Sequence, residues 1–334
     1  MNGHEAKRLP TVSVIMAAWN SAETIAETIE SVRAQTLADW ELLVIDDGST
    51  DDTVKIVRGM TETDRRIRLI GGAHRGAAAA RNAGLQNAEG RYIAILDSDD
   101  FAMPERLAKQ VAFLDAHPDV VVLGSYCKVG DEIWKPATTN GGIRFALTAW
   151  NPFVHSAVMF RKQAPGIEYN ETMSASHDYD FLSRLCSIGN AANMPEVLCG
   201  WRIRRESIGT RLAETQRNNA ISIAAREMRR ILPEMPGELA DALAHANFFC
   251  HGSRRVKERE LRCWYKQLLA KCASTYPDDA WEIRRLGIEG MIGRRKYFFG
   301  ESVGEQLRLL FAAGRFYRFS PKRMLSLIRA VFFD

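Results

Sequence analysis

Two short acidic clusters carry residue types that could do chemistry. Asp97-Ser98-Asp99-Asp100 follows the apolar run Tyr92-Ile93-Ala94-Ile95-Leu96, and Asp46-Asp47-Gly48-Ser49 follows Leu42-Leu43-Val44-Ile45. Carboxylates one residue apart beyond a strand, as Asp97 and Asp99 are, can grip a hard divalent cation together with phosphate oxygens. Magnesium and manganese prefer such ligands and keep some of their waters. Taken alone, a cluster of this kind is more often a solvated acidic turn. Asp46 and Asp47 can accept a hydrogen bond from a base N–H or a ribose hydroxyl; equally, Asp47 or Ser49 can end the strand and cap the next helix. Arg75 and Arg81 lie on or near the alanine-rich stretch Gly76 to Ala88, where a helix N-terminus would welcome a diphosphate. A solvated basic face is the commoner fate of arginine.

The elements that would position these groups alternate. Val12-Ser13-Val14-Ile15-Met16 reads as a buried strand, as do Leu42 to Ile45, Ile67 to Ile70 and Tyr92 to Leu96. Between them, Ile25, Ile29 and Val32 recur at helical spacing behind Asn20 and Glu23, a plausible capping pair. Thr53 to Met60 and the alanine-rich stretch give two more helices, and Pro104 fits the first turn of a fourth carrying Leu107, Val111 and Leu114. This rhythm implies a Rossmann-like, mostly parallel central sheet flanked by helices. Ligands bind such sheets beyond the carboxyl ends of the strands, where Ala17-Ala18-Trp19-Asn20 and both acidic clusters would converge. Val120 to Leu123, Tyr126 to Trp134 and Ala157 to Phe160 read as further strands, and a helix begins near His177. Beyond Thr210 the pattern is helical almost to the end.

Composition excludes several classes. The 334 residues carry a net charge of +4, which does not demand nucleic acid as a partner. The six cysteines form no CxxC pair, against a structural zinc or dithiol site. No basic-then-apolar leader opens the sequence and no apolar run reaches spanning length, so we expect a cytoplasmic protein with reduced thiols. No glycine-rich turn follows the first strand, so neither a dinucleotide-dependent dehydrogenase nor a sugar-nucleotide pyrophosphorylase is expected.

Val12 to Asn20, Val44 to Asp51, Arg75 to Gly84 and Ile95 to Asp100 together resemble, in order and spacing, the family-2 glycosyltransferases, across roughly the first two hundred residues. The resemblance implies a GT-A fold and an inverting, metal-dependent transfer of a sugar from a nucleotide-sugar, a UDP-sugar being the expected donor, to an acceptor hydroxyl. It implies that Asp46 contacts the base, with Ala17 and Asn20 shaping the same pocket and Glu23 nearby; Asp47, Arg75 and Ser98 are further candidates for holding the nucleotide-sugar. It gives Asp97 to the ribose and metal, Asp99 to the metal (Mn2+ or Mg2+), and Arg81 to the nucleotide. A degenerate binding protein without transfer is the alternative; the retained Asp46, Asp97, Asp99 and Asp178 speak against it.

On the acceptor side, His177-Asp178-Tyr179-Asp180-Phe181 resembles the family segment whose first aspartate is the catalytic base, here Asp178, with His177 replacing the usual glutamate. Asp178 and Asp180 could instead only stabilise a helix N-terminus. Arg204 stands where a family histidine often sits; it can pair with diphosphate but cannot ligate a cation, which would weaken metal dependence. His155, His177, Asp180 and Trp201 are further acceptor-side candidates. We expect a catalytic domain over residues 1–209, with a nucleotide-sugar half near 10–120 and an acceptor half near 121–209, followed by a helical extension over 210–334. Basic residues interleaved with aromatics from Arg294 to Arg329 read as a packed helical subdomain, a dimer contact or a peripheral membrane contact. A glycan or lipid-linked acceptor would fit the last, at the inner face of the cell membrane, as would a product in polysaccharide or glycolipid biosynthesis.

Overall fold

The structure is a computed structural model that describes residues 9–162, 168–202, 212–247 and 258–293. Arg204 and the basic-aromatic stretch from Arg294 lie outside the described residues. The chain divides into two compact units: one formed by the chain up to Thr138 with Asn151–Gln216, the other by Thr139–Trp150 with the chain from Arg217 onward.

The first unit is built on β1 (Val12–Ala18), β2 (Trp40–Asp46), β3 (Ile67–Gly71) and β4 (Tyr92–Ile95), all parallel in the order β3-β2-β1-β4. β2 and β4 are buried along their whole length, as strands covered on both faces must be. The crossovers are α1 (Ile25–Arg33), α2 (Thr53–Thr63) and α3 (Ala77–Asn87). α1 buries Ile25, Ile29 and Val32 against the sheet. α3 lies close to β1 at Gly84, where a Cβ would meet Ile15 at 2.4 Å, and its first turn buries the small residues Ala78, Ala79 and Ala80.

The expected capping pair ahead of α1 does not form. Asn20 takes a left-handed φ of 48° and Thr24 precedes the helix without a side-chain cap, so the α1 N-terminus is closed instead by turn bonds from Thr24 and Ile25 N–H to the Ser21 carbonyl. Pro104 also lies outside its helix, since α4 (Arg106–Ala116) starts two residues later.

Beyond β4 the sheet becomes mixed. β5 (Phe101–Ala102), β6 (Val120–Val129), β7 (Glu132–Trp134), β8 (Met159–Arg161) and β9 (Asn190–Trp201) extend the order as β4-β8-β6-β9-β5, with β7 paired to β6. β8 is antiparallel to both neighbours, while β6 and β9 are parallel with register shifts. Where β4 and β8 meet, the Ile95 N–H donates to the Val158 carbonyl (3.0 Å), and the buried Arg106 donates to the Ile95 and Val158 carbonyls (2.9 and 3.2 Å) and to Gln110 (3.1 Å). α5 (Asn140–Ala146) belongs to the second unit and α6 (His177–Cys186) to the first.

In the second unit α5 is followed by α7 (Ala213–Ile231), α8 (Gly237–Asn247), α9 (Glu258–Thr275) and α10 (Ala280–Gly293). Buried Glu282 accepts from the Thr139 N–H and hydroxyl (2.9 and 2.7 Å), and Asp279 accepts from Gly141 N–H (2.6 Å), which closes the α5 N-terminus. No described helix is long and apolar enough to cross a membrane.

At the amino edge of the parallel strands, Gly90 N–H donates to Ser13 Oγ (2.7 Å), whose hydroxyl donates to Glu41 (2.6 Å). A Cβ at Gly90 would lie 2.4 Å from Ser13 N and 2.7 Å from Val12 C, both backbone atoms that cannot give way. Gly90→Ala should therefore cost about 1–3 kcal/mol, read as a lower urea midpoint with an unchanged slope.

Candidate active site

The parallel register sets Ala18 beside Asp46 and Ile15 beside Ile95, so the loops after β1, β2 and β4 leave the sheet at one edge. Asp46 ends β2 and is 5% exposed. Its Oδ2 accepts from Ser49 N–H at 3.1 Å, whereas Oδ1 is buried without a partner. Such an orphaned oxygen is costly unless a ligand donor reaches it. Asp46 also lines an open groove of about 530 Å3 with Val54, Arg58, Ile67, Ile70 and Gly71.

Its neighbour Asp47 is committed to the protein. Oδ1 accepts from Arg75 N–H (2.7 Å), Oδ2 from Gly76 N–H (2.9 Å), and His74 Nδ1 lies 2.9 Å from Oδ2. This carboxylate fixes the loop that leads into α3, with Gly48 and Gly76 at φ of 73° and 94°. His74 in turn stacks on the exposed Trp19 with centroids 4.7 Å apart. Asn20 ties the first two loops together: its N–H donates to Ser49 Oγ (2.9 Å) and its Oδ1 accepts from Thr50 N–H (2.8 Å). Ala17 is half-buried on β1 and Glu23 is exposed. The Arg75 side chain is exposed and pairs with Glu171 at 2.7 Å.

At the centre, Arg81 is 7% exposed; it donates to Asp97 through Nη2 and to His177 Nε2 through Nη1, both at 2.6 Å, while its Nε is buried without a partner. Burial alone would raise the Asp97 carboxyl; Arg81, with His155 Nδ1 3.7 Å away, overrides it and holds the group far below the usual carboxylate range. Because Arg81 can only donate, His177 Nε2 is an acceptor and the ring proton sits on Nδ1, which is buried and unpartnered. Burial, and then Arg81, depress His177 to about 4. Ser98 bonds Ser21 Oγ (2.8 Å), and its carbonyl accepts from Thr24 and Thr28 hydroxyls (2.9 and 3.1 Å), anchoring the Asp97 loop on α1.

Asp99 is half-buried on the same loop. Asp100 is enclosed beneath it, accepting from the Ser156 hydroxyl and from Arg202 N–H (3.0 Å); burial, with Asp97 and Asp99 nearby, pushes its carboxyl up to about 7.

On the other side of Arg81, Ser176 at φ 59° turns the chain into α6 and presents Asp178 in its first turn. Burial pushes the Asp178 carboxyl up, but the His155 and His177 imidazoles, the Tyr179 N–H and Arg81 bring it below its usual value, so it is ionised at neutral pH. Asn151 Nδ2 donates to Asp178 Oδ2 at 3.0 Å. Asp180 is held by Arg184 at 2.8 Å, four residues along the helix, a pair that supports α6. His155 bonds the Tyr169 hydroxyl (2.9 Å), and Tyr169 stacks on Phe181 with centroids 4.0 Å apart. Trp201 is exposed at the end of β9.

The arrangement thus gathers Asp46, Asp97, Asp99, Arg81, His155, His177 and Asp178 about the strand ends. Tyr169, Asn82 and Asn151 were not expected from sequence; Asp100 closes an acidic cluster that the sequence does single out. Asn82 holds the Tyr169 backbone through N–H and carbonyl bonds of 2.7 and 3.0 Å, a pairing that only the fold brings about across 87 residues. Among the described residues, no group of three or more His, Cys, Asp or Glu is gathered for a metal. The all-oxygen pair Asp97 and Asp99 fits a magnesium or manganese ion that takes its remaining ligands from phosphate and water, and not a caged site.

A half-parallel, half-mixed sheet with its polar clusters on one carboxyl edge defines a protein of the GT-A fold. Residues 13–175 match the model for glycosyl transferase family 2. An uncharacterised glycosyltransferase of Haemophilus influenzae is 32% identical over 213 residues, covering 58% of this chain and 66%, just under two thirds, of that protein. The solved structure of Staphylococcus aureus TarS 1-349 in complex with UDP-GlcNAc superposes with a TM-score of 0.58 at 20% identity, covering 86% of this chain and 88% of that one. The mannosyltransferase PcManGT of Pyrobaculum calidifontis, solved with GDP-Man and Mn2+, gives 0.52 at 18% identity, covering 97% and 86%. At these identities the structural likeness establishes the fold. The likeness to glycosyl transferase family 2 thus spans residues 13–175, and the chain covers less than two thirds of the length of the curated relatives it matches.

The depressed His177 carries a pH signature. Its value falls from 6.5 to about 4 on folding, so between those values the unfolded chain binds more protons and stability drops as pH falls. His177→Gln keeps an acceptor for Arg81 without a titrating ring. The loss of melting temperature between pH 7 and about pH 4.5 should be smaller in the variant than in the unaltered chain.

Proposed function

We propose that this chain is an inverting glycosyltransferase that moves a sugar from a nucleotide-sugar, a UDP-sugar, to the hydroxyl of a glycan or lipid-linked acceptor. The observation that carries this reading is the placement, on one edge of the sheet, of an unpartnered base-side oxygen (Asp46 Oδ1), the Asp97–Asp99 pair and the ionised Asp178. Asp46 accepts from the nucleobase, and Asp97 with Arg81 faces the ribose and diphosphate. Magnesium or manganese bound at Asp99 and Asp97 would offset charge on the departing diphosphate.

In the transfer step Asp178 takes the proton of the acceptor hydroxyl as that oxygen attacks the anomeric carbon. The bond from that carbon to the diphosphate oxygen breaks on the opposite face, and its electron pair leaves with the nucleoside diphosphate. A single displacement with one base on the acceptor side inverts the configuration. A base held below its usual value is already deprotonated at neutral pH, which suits this role. Family habit supports a product in polysaccharide or glycolipid biosynthesis, made at the cytoplasmic face of the membrane.

The test is nucleotide release from a panel of UDP-, GDP- and dTDP-sugars with manganese, magnesium or chelator. One donor should be hydrolysed in a metal-dependent way, with Asp99→Ala reducing the rate by a hundredfold or more, on the order of 3 kcal/mol of barrier. Silence across the panel, with no donor-induced thermal shift, would leave the degenerate binding protein as the better reading. In a second measurement, Asp178→Asn should abolish transfer while nucleotide affinity stays within about threefold; loss of both would remove the role assigned to Asp178.

A further inference from the structure

Asn151 lies outside every motif that the sequence singles out, yet it makes a direct side-chain bond to the proposed base. Its amide is fixed from both ends. Phe153 N–H donates to Asn151 Oδ1 at 3.2 Å, which identifies the oxygen end of the amide, and Nδ2 is then the end 3.0 Å from Asp178 Oδ2. The turn that carries it is pinned in turn: Asn193, 3% exposed on β9, donates from Nδ2 to the Pro152 carbonyl (3.0 Å) and the Ala137 carbonyl (2.7 Å). An aspartate at the start of a helix would otherwise be free to rotate about its side chain and offer either oxygen to a substrate.

We infer that Asn151 is a positioning residue for the transfer, holding Asp178 Oδ2 so that Oδ1 is the oxygen that receives the acceptor's proton. The inference rests on the reading of Asp178 as the base. A neutral amide suits the task. A lysine or arginine at this place would stabilise the carboxylate more strongly and weaken it as a base, whereas an amide orients it at a smaller cost in basicity. The other groups that bear on Asp178 are His155 in the turn before β8, His177 and the Tyr179 N–H on its own helix, and Arg81 on α3; Asp180 is held by Arg184. Asn151 bonds Oδ2 directly through its side chain, at 3.0 Å.

Asn151→Asp separates positioning from folding. The new carboxylate still accepts from Phe153 N–H, so the turn keeps its bond, but it sets a second negative charge against Asp178 where a donor stood. A carboxyl 13C NMR titration of the full chain, with the Asp178 signal assigned by its loss in Asp178→Asn, should show Asp178 titrating higher by about one pH unit or more. With the donor that the unaltered chain turns over, kcat should fall on the order of tenfold, with donor KM unchanged, and an acid limb absent from the unaltered enzyme should come into view between about pH 4 and 6. Asn151→Ala should lower kcat without that limb. An unmoved Asp178 titration in Asn151→Asp, or kcat and pH profile equal to those of the unaltered chain, would overturn the inference. The titration reads the Asn151–Asp178 contact whether or not a donor is hydrolysed, so a silent donor panel counts against the proposed function alone.

Discussion

A single buried guanidinium joins the parts of this site. Arg81 comes from α3, bonds Asp97 at the end of β4, and bonds His177 at the start of α6. A charge with so little exposure is tolerable only while its partners are in place. The position of Asp97 therefore depends on α3 lying close to β1, which in turn depends on Gly84 at that contact. The same bonds set the tautomer of His177 and the first turn of α6, and hence the place of Asp178. The loop that carries Asp97 and the first turn of α6 are thus registered to one another through one side chain.

The carboxylates divide by what they already hold. Asp47 receives two backbone N–H groups and fixes the loop before α3; Asp51 receives the Thr53 N–H and hydroxyl at the start of α2; Asp100 is closed in by Ser156 and Arg202. These shape the site. Asp46 keeps one buried oxygen without a donor, and Asp178 is ionised with one oxygen bonded by Asn151. Residue type and spacing do not distinguish Asp46 from Asp47; their hydrogen-bond partners do.

That contrast explains what could be read from sequence. Strands such as Val12 to Met16, apolar but for Ser13, and Leu42 to Ile45 are short apolar runs, and α1 and α6 carry apolar residues at helical spacing, so local pattern and fold agree. β9 was missed because Asn-Ala-Ala-Asn-Met-Pro breaks both patterns, and its strand survives through register shifts against β6 near Ser125 and Tyr126. α5 was missed because Asn140-Gly141-Gly142 is a poor helix start; bonds from Asp279 and Glu282, far along the chain, hold it. Asn20 and Glu23 have the spacing of a capping pair, but Asn20 is drawn to the β2 loop by Ser49 and Thr50. Asn151, Asn82 and Tyr169 act through partners 27 to 87 residues distant, which no local signal encodes.

The most direct test of the account is a crystal structure with UDP and Mn2+. The expected result is a uracil ring within hydrogen-bond distance of Asp46 Oδ1, the diphosphate beside Arg81, and the ion bridging phosphate to Asp99, all at the carboxyl edge of β1, β2 and β4. Nucleotide bound elsewhere, or Asp46 Oδ1 still unpartnered with the base in place, would contradict it.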